Sequence, residues 1–212
     1  MEDEVVKRDI IISDLSARMS MLETRLGAVS VASVSAREHR DLVVVGDSIV
    51  RPVDVESIKP GGTNDLICLP GARVFKVHCE IKKAALAFNV KNLVVHAGSN
   101  NIPDCQPHQV ANQIIQMLRD VRLDMPTTNI YFSALIPKSS NRLTNAINHV
   151  NYRVFLACQE FGITYIDHPF IMVRGVMSTA MYKPVEVREN RPVHLSSTGA
   201  AKFGLDIARM LK

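Results

Sequence analysis

The 212-residue chain can hold one well-buried domain and a small extra element, but not two full domains. Its 47% apolar and 22% charged residues match an ordinary globular protein, and no apolar run approaches the roughly 18 residues of a bilayer-spanning helix. The net charge of +4 is spread thinly, with six Lys/Arg against seven Asp/Glu in residues 1–40 and a basic excess over 41–212. With no aromatic residues interleaved among basic clusters, this excludes an obvious nucleic-acid groove, although it tolerates an anionic membrane surface.

The chain opens on Met1-Glu2-Asp3-Glu4, which lacks the basic-then-apolar layout of a secretory signal, so an intracellular, cytoplasmic location is expected. Cys68, Cys79, Cys105 and Cys158 show no CxxC spacing and read as buried free thiols rather than a metal site or disulfide set. Residues 5–29 follow a heptad. Val5, Ile12, Met19 and Leu26 fall at a, and Arg8, Leu15, Leu22 and Val29 at d, with Arg18 at g facing Glu23 at the following e. That seam predicts a two-stranded coiled coil over residues 1–30 and hence a homodimer; the alternative is one amphipathic helix packed on its own domain. Small and polar residues then form a linker over 31–40, and the globular domain occupies 41–212.

In that domain, apolar β-branched runs at Leu42–Val45, Leu66–Leu69, Leu93–His96, Ile130–Ser133 and Ile163–Ile166 alternate with helical patterns over about 74–88, 107–124, 142–161 and 197–211. Runs without polar interruption fit parallel strands buried on both faces. The arrangement predicts a three-layer α/β/α domain around a five-stranded parallel sheet, with reactive groups at the carboxyl ends of the strands.

The first run breaks at Gly46-Asp47-Ser48, which sets a serine at a strand's carboxyl end. A serine hydroxyl needs a neighbouring base to become a nucleophile, and His194, on the loop before the last helix, is the candidate. Gly71, in the turn after the second run, and Asn100, after the third, can join the Ser48 backbone N–H as donors to an oxyanion. His96 reads as a satisfied core histidine, while His78, His108, His149 and His168 have no assignment. Met172, Met177 and Met181, with Val173 and Val176, suit either an acyl-chain pocket or, preferably, core filling.

Together these blocks resemble the SGNH, or GDSL, hydrolase family: Gly46-Asp47-Ser48, Gly71, Gly98-Ser99-Asn100-Asn101 and Val193-His194-Leu195. The resemblance implies a flavodoxin-like fold and hydrolysis of carboxylic esters or lipids through catalytic Ser48 and His194, with Ser48, Gly71 and Asn100 as the oxyanion hole and no metal or cofactor. The wording Val45-Gly46-Asp47-Ser48-Ile49-Val50-Arg51 behind a coiled coil looks like the first-open-reading-frame proteins of fish non-LTR retrotransposons, which implies an RNA-packaging context. Gly62-Thr63-Asn64-Asp65 spells the third block more literally, but it precedes the second run and reads as a turn. The family's aspartate three residues before the histidine is replaced by Arg191, and its third-block aspartate by Asn101. The preferred substitute for the missing carboxylate is a backbone carbonyl near residues 190–192, with Glu189 and Glu186 as alternatives; lost catalysis in a lipid-binding module is the competing reading.

Overall fold

The computed structural model describes residues 37–138, 140–173, 176–189 and 193–211. The coiled coil and most of the linker expected over 1–40 lie outside these residues, as does Arg191. The chain divides into two units, Met1–Glu38 and His39–Lys212, and apart from Glu38, the first residue of β1, everything below concerns the second.

Five parallel strands form the central sheet: β2 (Leu42–Gly46), β3 (Asn64–Cys68), β5 (Asn92–His96), β6 (Asn129–Ser133) and β7 (Thr164–Ile166), in the order β3-β2-β5-β6-β7. Two short strands, β1 (Glu38–Arg40) and β4 (Phe88–Val90), form a separate two-stranded sheet. The strand period of two splits the apolar runs between two cores. Val43, Val45, Leu93, Val95, Ile130 and Phe132 face helices α2 (Val74–Ala87), α3 (Pro107–Asp124) and α4 (Asn141–Phe161). Leu42, Val44, Val94, Tyr131 and Ile166 face α6 (Ser197–Met210) and the short α1 (Val55–Ile58). Helices on both faces complete the expected three layers, and the four long helices lie within one or two residues of their predicted bounds. No described helix is long and apolar enough to cross a membrane.

Gly62-Thr63-Asn64-Asp65 sits at the amino end of β3, whose first residues are Asn64 and Asp65, so it lies at the opposite edge of the sheet from Ser48. All four cysteines are free, but only Cys158 is fully buried. Between β7 and α6 the sequence reading had no elements. The structure has a 3-10 turn at Pro169–Ile171, a hairpin of β8 (Met172–Val173) and β9 (Val176–Met177), a second 3-10 turn at Thr179–Met181 and a short helix α5 (Pro184–Arg188). Each is too short to show a hydrophobic period. Met181 is buried and Met177 packs against the same core, whereas Val176 is exposed; core filling describes these methionines better than a pocket lining.

This segment holds the start of α6 in place. Lys183 N–H donates to the His194 carbonyl at 3.0 Å, Ser196 N–H donates to the Met181 carbonyl at 2.9 Å, and Tyr182 forms a β-bridge with Leu195. Ser196 caps α6 by accepting from Gly199 N–H at 3.1 Å. The contact is so close that a Cβ on Gly199 would stand 2.1 Å from the Met181 carbonyl oxygen. Gly199→Ala is therefore expected to destabilise the domain by about 1–3 kcal/mol through overpacking against rigid backbone, read as a lowered urea midpoint at unchanged slope.

Candidate active site

Ser48 lies two residues past the end of β2 in a run of tight turns, in which Val50 N–H donates to the Asp47 carbonyl and Arg51 N–H to the Ser48 carbonyl. Gly46 is required there, because a Cβ would meet the His96 carbonyl oxygen at 2.6 Å. Asp47 turns inward, 1% exposed, and its Oδ1 accepts from Ile49 N–H at 3.0 Å, which fixes the turn and leaves Ser48 half-buried at its tip.

His194, 146 positions away, arrives on the loop laced to Met181–Lys183. Its Nε2 lies 3.1 Å from Ser48 Oγ. Its Nδ1 lies 2.6 Å from Oε1 of Glu186 on α5. The other carboxylate oxygen, Oε2, accepts the backbone N–H of Val193 at 2.9 Å and of His194 at 2.7 Å. Burial pushes the Glu186 carboxyl up, but the hydrogen bonds from His194 and Val193 outweigh it and hold it below the usual carboxylate range. The expectation of a backbone carbonyl behind the imidazole is corrected: the acceptor is Glu186. A carboxylate only accepts, so Nδ1 carries the hydrogen and Nε2 presents its lone pair to Ser48. Glu186 lies eight residues before the histidine instead of three, on a helix of five residues with no periodic signal, so neither spacing nor pattern singled it out.

The loops after β3 and β5 converge on the same turn. Leu69 N–H donates to the Gly46 carbonyl at 2.8 Å, and Asn100 Nδ2 donates to the Ala72 carbonyl at 3.0 Å, with Asp47 Oδ2 at 3.4 Å. Gly71 takes φ of +70°, a conformation that favours glycine. The backbone N–H groups of Ser48 and Gly71 have no acceptor among the described residues. Asn101, where the family has aspartate, works in the loop: its Oδ1 accepts from Val74 N–H at the start of α2, and its Nδ2 donates to Gln113.

A second polar array lies at the carboxyl edge of the sheet on the α6 side. His96 Nδ1 is 3.1 Å from Ser133 Oγ, which is 2.8 Å from His168 Nε2, and His168 Nδ1 is 3.2 Å from Asp206 Oδ2. His96 is thus only half satisfied, because its Nε2 is buried without a partner among the described residues, and burial pushes its pKa down to about 4. His168, unassigned from sequence, is held by this chain and stacks on Phe203.

No protein-family model and no curated protein sequence matches the chain. Solved structures do share the fold. A GDSL-like lipase from Bacteroides thetaiotaomicron superposes with a TM-score of 0.66 at 12% identity, covering 81% of this chain and 87% of that one. The lipase/acylhydrolase from Enterococcus faecalis gives 0.64 at 16% identity over 81% and 94%. Est24, a carbohydrate acetylesterase from Sinorhizobium meliloti, gives 0.58 at 10% identity over 81% and 97%. The domain therefore has the fold of the GDSL-type hydrolases.

The shared oxygen of Glu186 yields a sharp expectation. In Glu186→Gln the amide oxygen is needed by the two backbone N–H groups, so the NH2 faces Nδ1 and drives the ring to the Nε2–H tautomer, which cannot take a proton from Ser48. A loss on the order of 10⁴ in kcat for an activated acetate ester is expected, as wrong-tautomer variants of such triads show, with Glu189→Gln near wild type.

Proposed function

We propose that this domain is a serine esterase that hydrolyses carboxylic esters, with Ser48 as nucleophile, His194 as general base and acid, and Glu186 as the carboxylate that orients His194. The continuous hydrogen-bonded path from Ser48 Oγ through His194 to Glu186 carries this reading. Ser48 Oγ attacks the ester carbonyl carbon while His194 Nε2 takes its proton. The electron pair displaced onto the carbonyl oxygen is received by the Ser48 and Gly71 N–H groups and the Asn100 amide, whose long contact to Asp47 is the one to be exchanged. As the tetrahedral adduct collapses, His194 returns its proton to the departing alcohol, leaving an acyl-serine. Water, deprotonated by His194, then releases the acid and restores Ser48.

A cavity of about 790 Å³ opens off the loops after β5 and β6, lined by Ile102, Asp104, His108, Arg142, Leu143 and His149 among others. None of Ser48, Gly71, Asn100 and His194 lines it, so the reading of the site does not draw on this cavity. The rival reading, a lipid-binding module without turnover, drew on the missing aspartate. Glu186 supplies a carboxylate at the imidazole, which favours chemistry. The proposed setting is a dimer joined through the coil of residues 1–30 in a retrotransposon RNA-packaging protein; its support is the heptad and the wording around Ser48.

A fluorophosphonate probe, which reports nucleophile activation without the natural substrate, tests the assignment. Wild type is expected to label, with Ser48→Ala and His194→Ala losing the label at unchanged circular dichroism. Equal hydrolysis of an acetate ester by wild type and Ser48→Ala would remove the proposal.

A further inference from the structure

Lys138 lies just past the carboxyl end of β6, outside every block read from the sequence. It is only 8% exposed, and its Nζ donates to the Ser99 carbonyl at 2.9 Å. Both flanks of its backbone are tied down: Thr144 Oγ1 donates to the Lys138 carbonyl at 2.9 Å, and Tyr182 Oη donates to the neighbouring Pro137 carbonyl at 2.6 Å. A buried lysine is uncommon and costs desolvation, so its charge needs a counterpart. The titratable groups around it are Asp47, whose carboxylate attracts the ammonium, and His96.

The placement has two consequences for the loop that presents Asn100. An ammonium on the carbonyl of residue 99 fixes the backbone immediately before Asn100 and so the direction of its amide. The second is electrostatic. Asp47 is a buried carboxylate in hydrogen-bond range of the same Asn100 amide, and a negative charge there opposes any oxyanion forming nearby. A buried cation attracted by Asp47, though not in ion-pair contact with it, weakens that opposition. We propose that Lys138 is a positioning residue for the oxyanion-binding loop, holding Asn100 through the Ser99 carbonyl and offsetting the charge of Asp47.

The inference rests on the esterase reading. Its test uses an activated acetate ester with wild type, Lys138→Met and Lys138→Arg, following kcat and KM separately from about pH 6 to pH 10. Lys138→Met is expected to lose on the order of 10²-fold in kcat, comparable to removing one oxyanion donor, with little change in KM. Burial holds the Lys138 ammonium below the ordinary lysine range, so wild-type kcat should fall on the alkaline side as that proton leaves. Arginine keeps its charge throughout, so Lys138→Arg should restore activity and abolish the alkaline fall. Unchanged kcat in Lys138→Met overturns the proposal, as does an alkaline limb identical in wild type and Lys138→Arg. If wild type and Ser48→Ala hydrolyse the ester equally, the esterase reading itself has failed. The Asn100 side-chain amide resonances then decide: a shift in Lys138→Met and not in Lys138→Arg supports the positioning, and no shift in either overturns it. Thermal melts of both variants separate these effects from loss of fold.

Discussion

A serine hydroxyl and an imidazole 3.1 Å apart do little until the ring is held in one tautomer, and in this domain that constraint falls on the Glu186 carboxylate. One of its oxygens takes the ring N–H and the other takes two backbone N–H groups, so a single side chain fixes both the ring and the loop that carries it. Around that carboxylate the remaining features fall into order. Helix α5 exists to present it, the bridge from Tyr182 to Leu195 sets the height of the loop, and Gly199 lets α6 start close enough to Met181 for the bridge to form.

Sheet and flanking helices were legible because their signals are long. Five apolar runs, most of them uninterrupted, and four periodic helices each average over enough residues to outvote local exceptions. The candidate Ser48, His194, Gly71 and Asn100 were legible for a different reason: a parallel sheet gathers its strand ends along one edge, so motifs far apart in the chain meet without any knowledge of the loops. Glu186 could be named only as one alternative among others because both signals fail for it. It sits on one and a half turns of helix with no buried residue, and a reader expecting an acid three residues before His194 finds Arg191. Moving the acid onto a preceding helix keeps its geometry while erasing its spacing. Lys138 was hidden in the same way, since a lone lysine after a strand looks like any solvated charge until its burial is known.

The array of His96, Ser133, His168 and Asp206 sharpens what distinguishes a site from a hydrogen-bonded core. By connectivity Ser133–His168–Asp206 repeats the order hydroxyl, imidazole, carboxylate found at Ser48, with a first contact of 2.8 Å. Yet Ser133 is wholly buried, Phe203 covers the ring, and the hydroxyl is spent between two histidines. Read outward from Asp206, the geometry lets His168 donate through Nδ1 and accept from Ser133 at Nε2, while the Ser133 oxygen accepts from His96 Nδ1. The hydrogens between these four side chains are committed, so the chain ties α6 to β5, β6 and the segment after β7, and the one atom left over, His96 Nε2, is buried away from any substrate. At Ser48 the same reagents come with the opposite provision: half-exposure, and two backbone N–H groups without an acceptor among the described residues.

That contrast explains why charge balance matters more at the first array than at the second. A buried network whose hydrogens are spent internally is nearly finished, with only His96 Nε2 left unpartnered among the described residues, and its electrostatics need only be tolerable. A site that must receive a charge it does not yet hold has to be left incomplete, with donors aimed at empty space and no net negative field across it. The buried Asp47 works against this, since the carboxylate that pins the nucleophile turn also stands beside the Asn100 amide. A domain that keeps Asp47 for the turn gains from a cation nearby, and the loop after β6 supplies one, buried and bonded to the Ser99 carbonyl. Lys138 enters from that loop, close enough to Asp47 to be attracted by its charge.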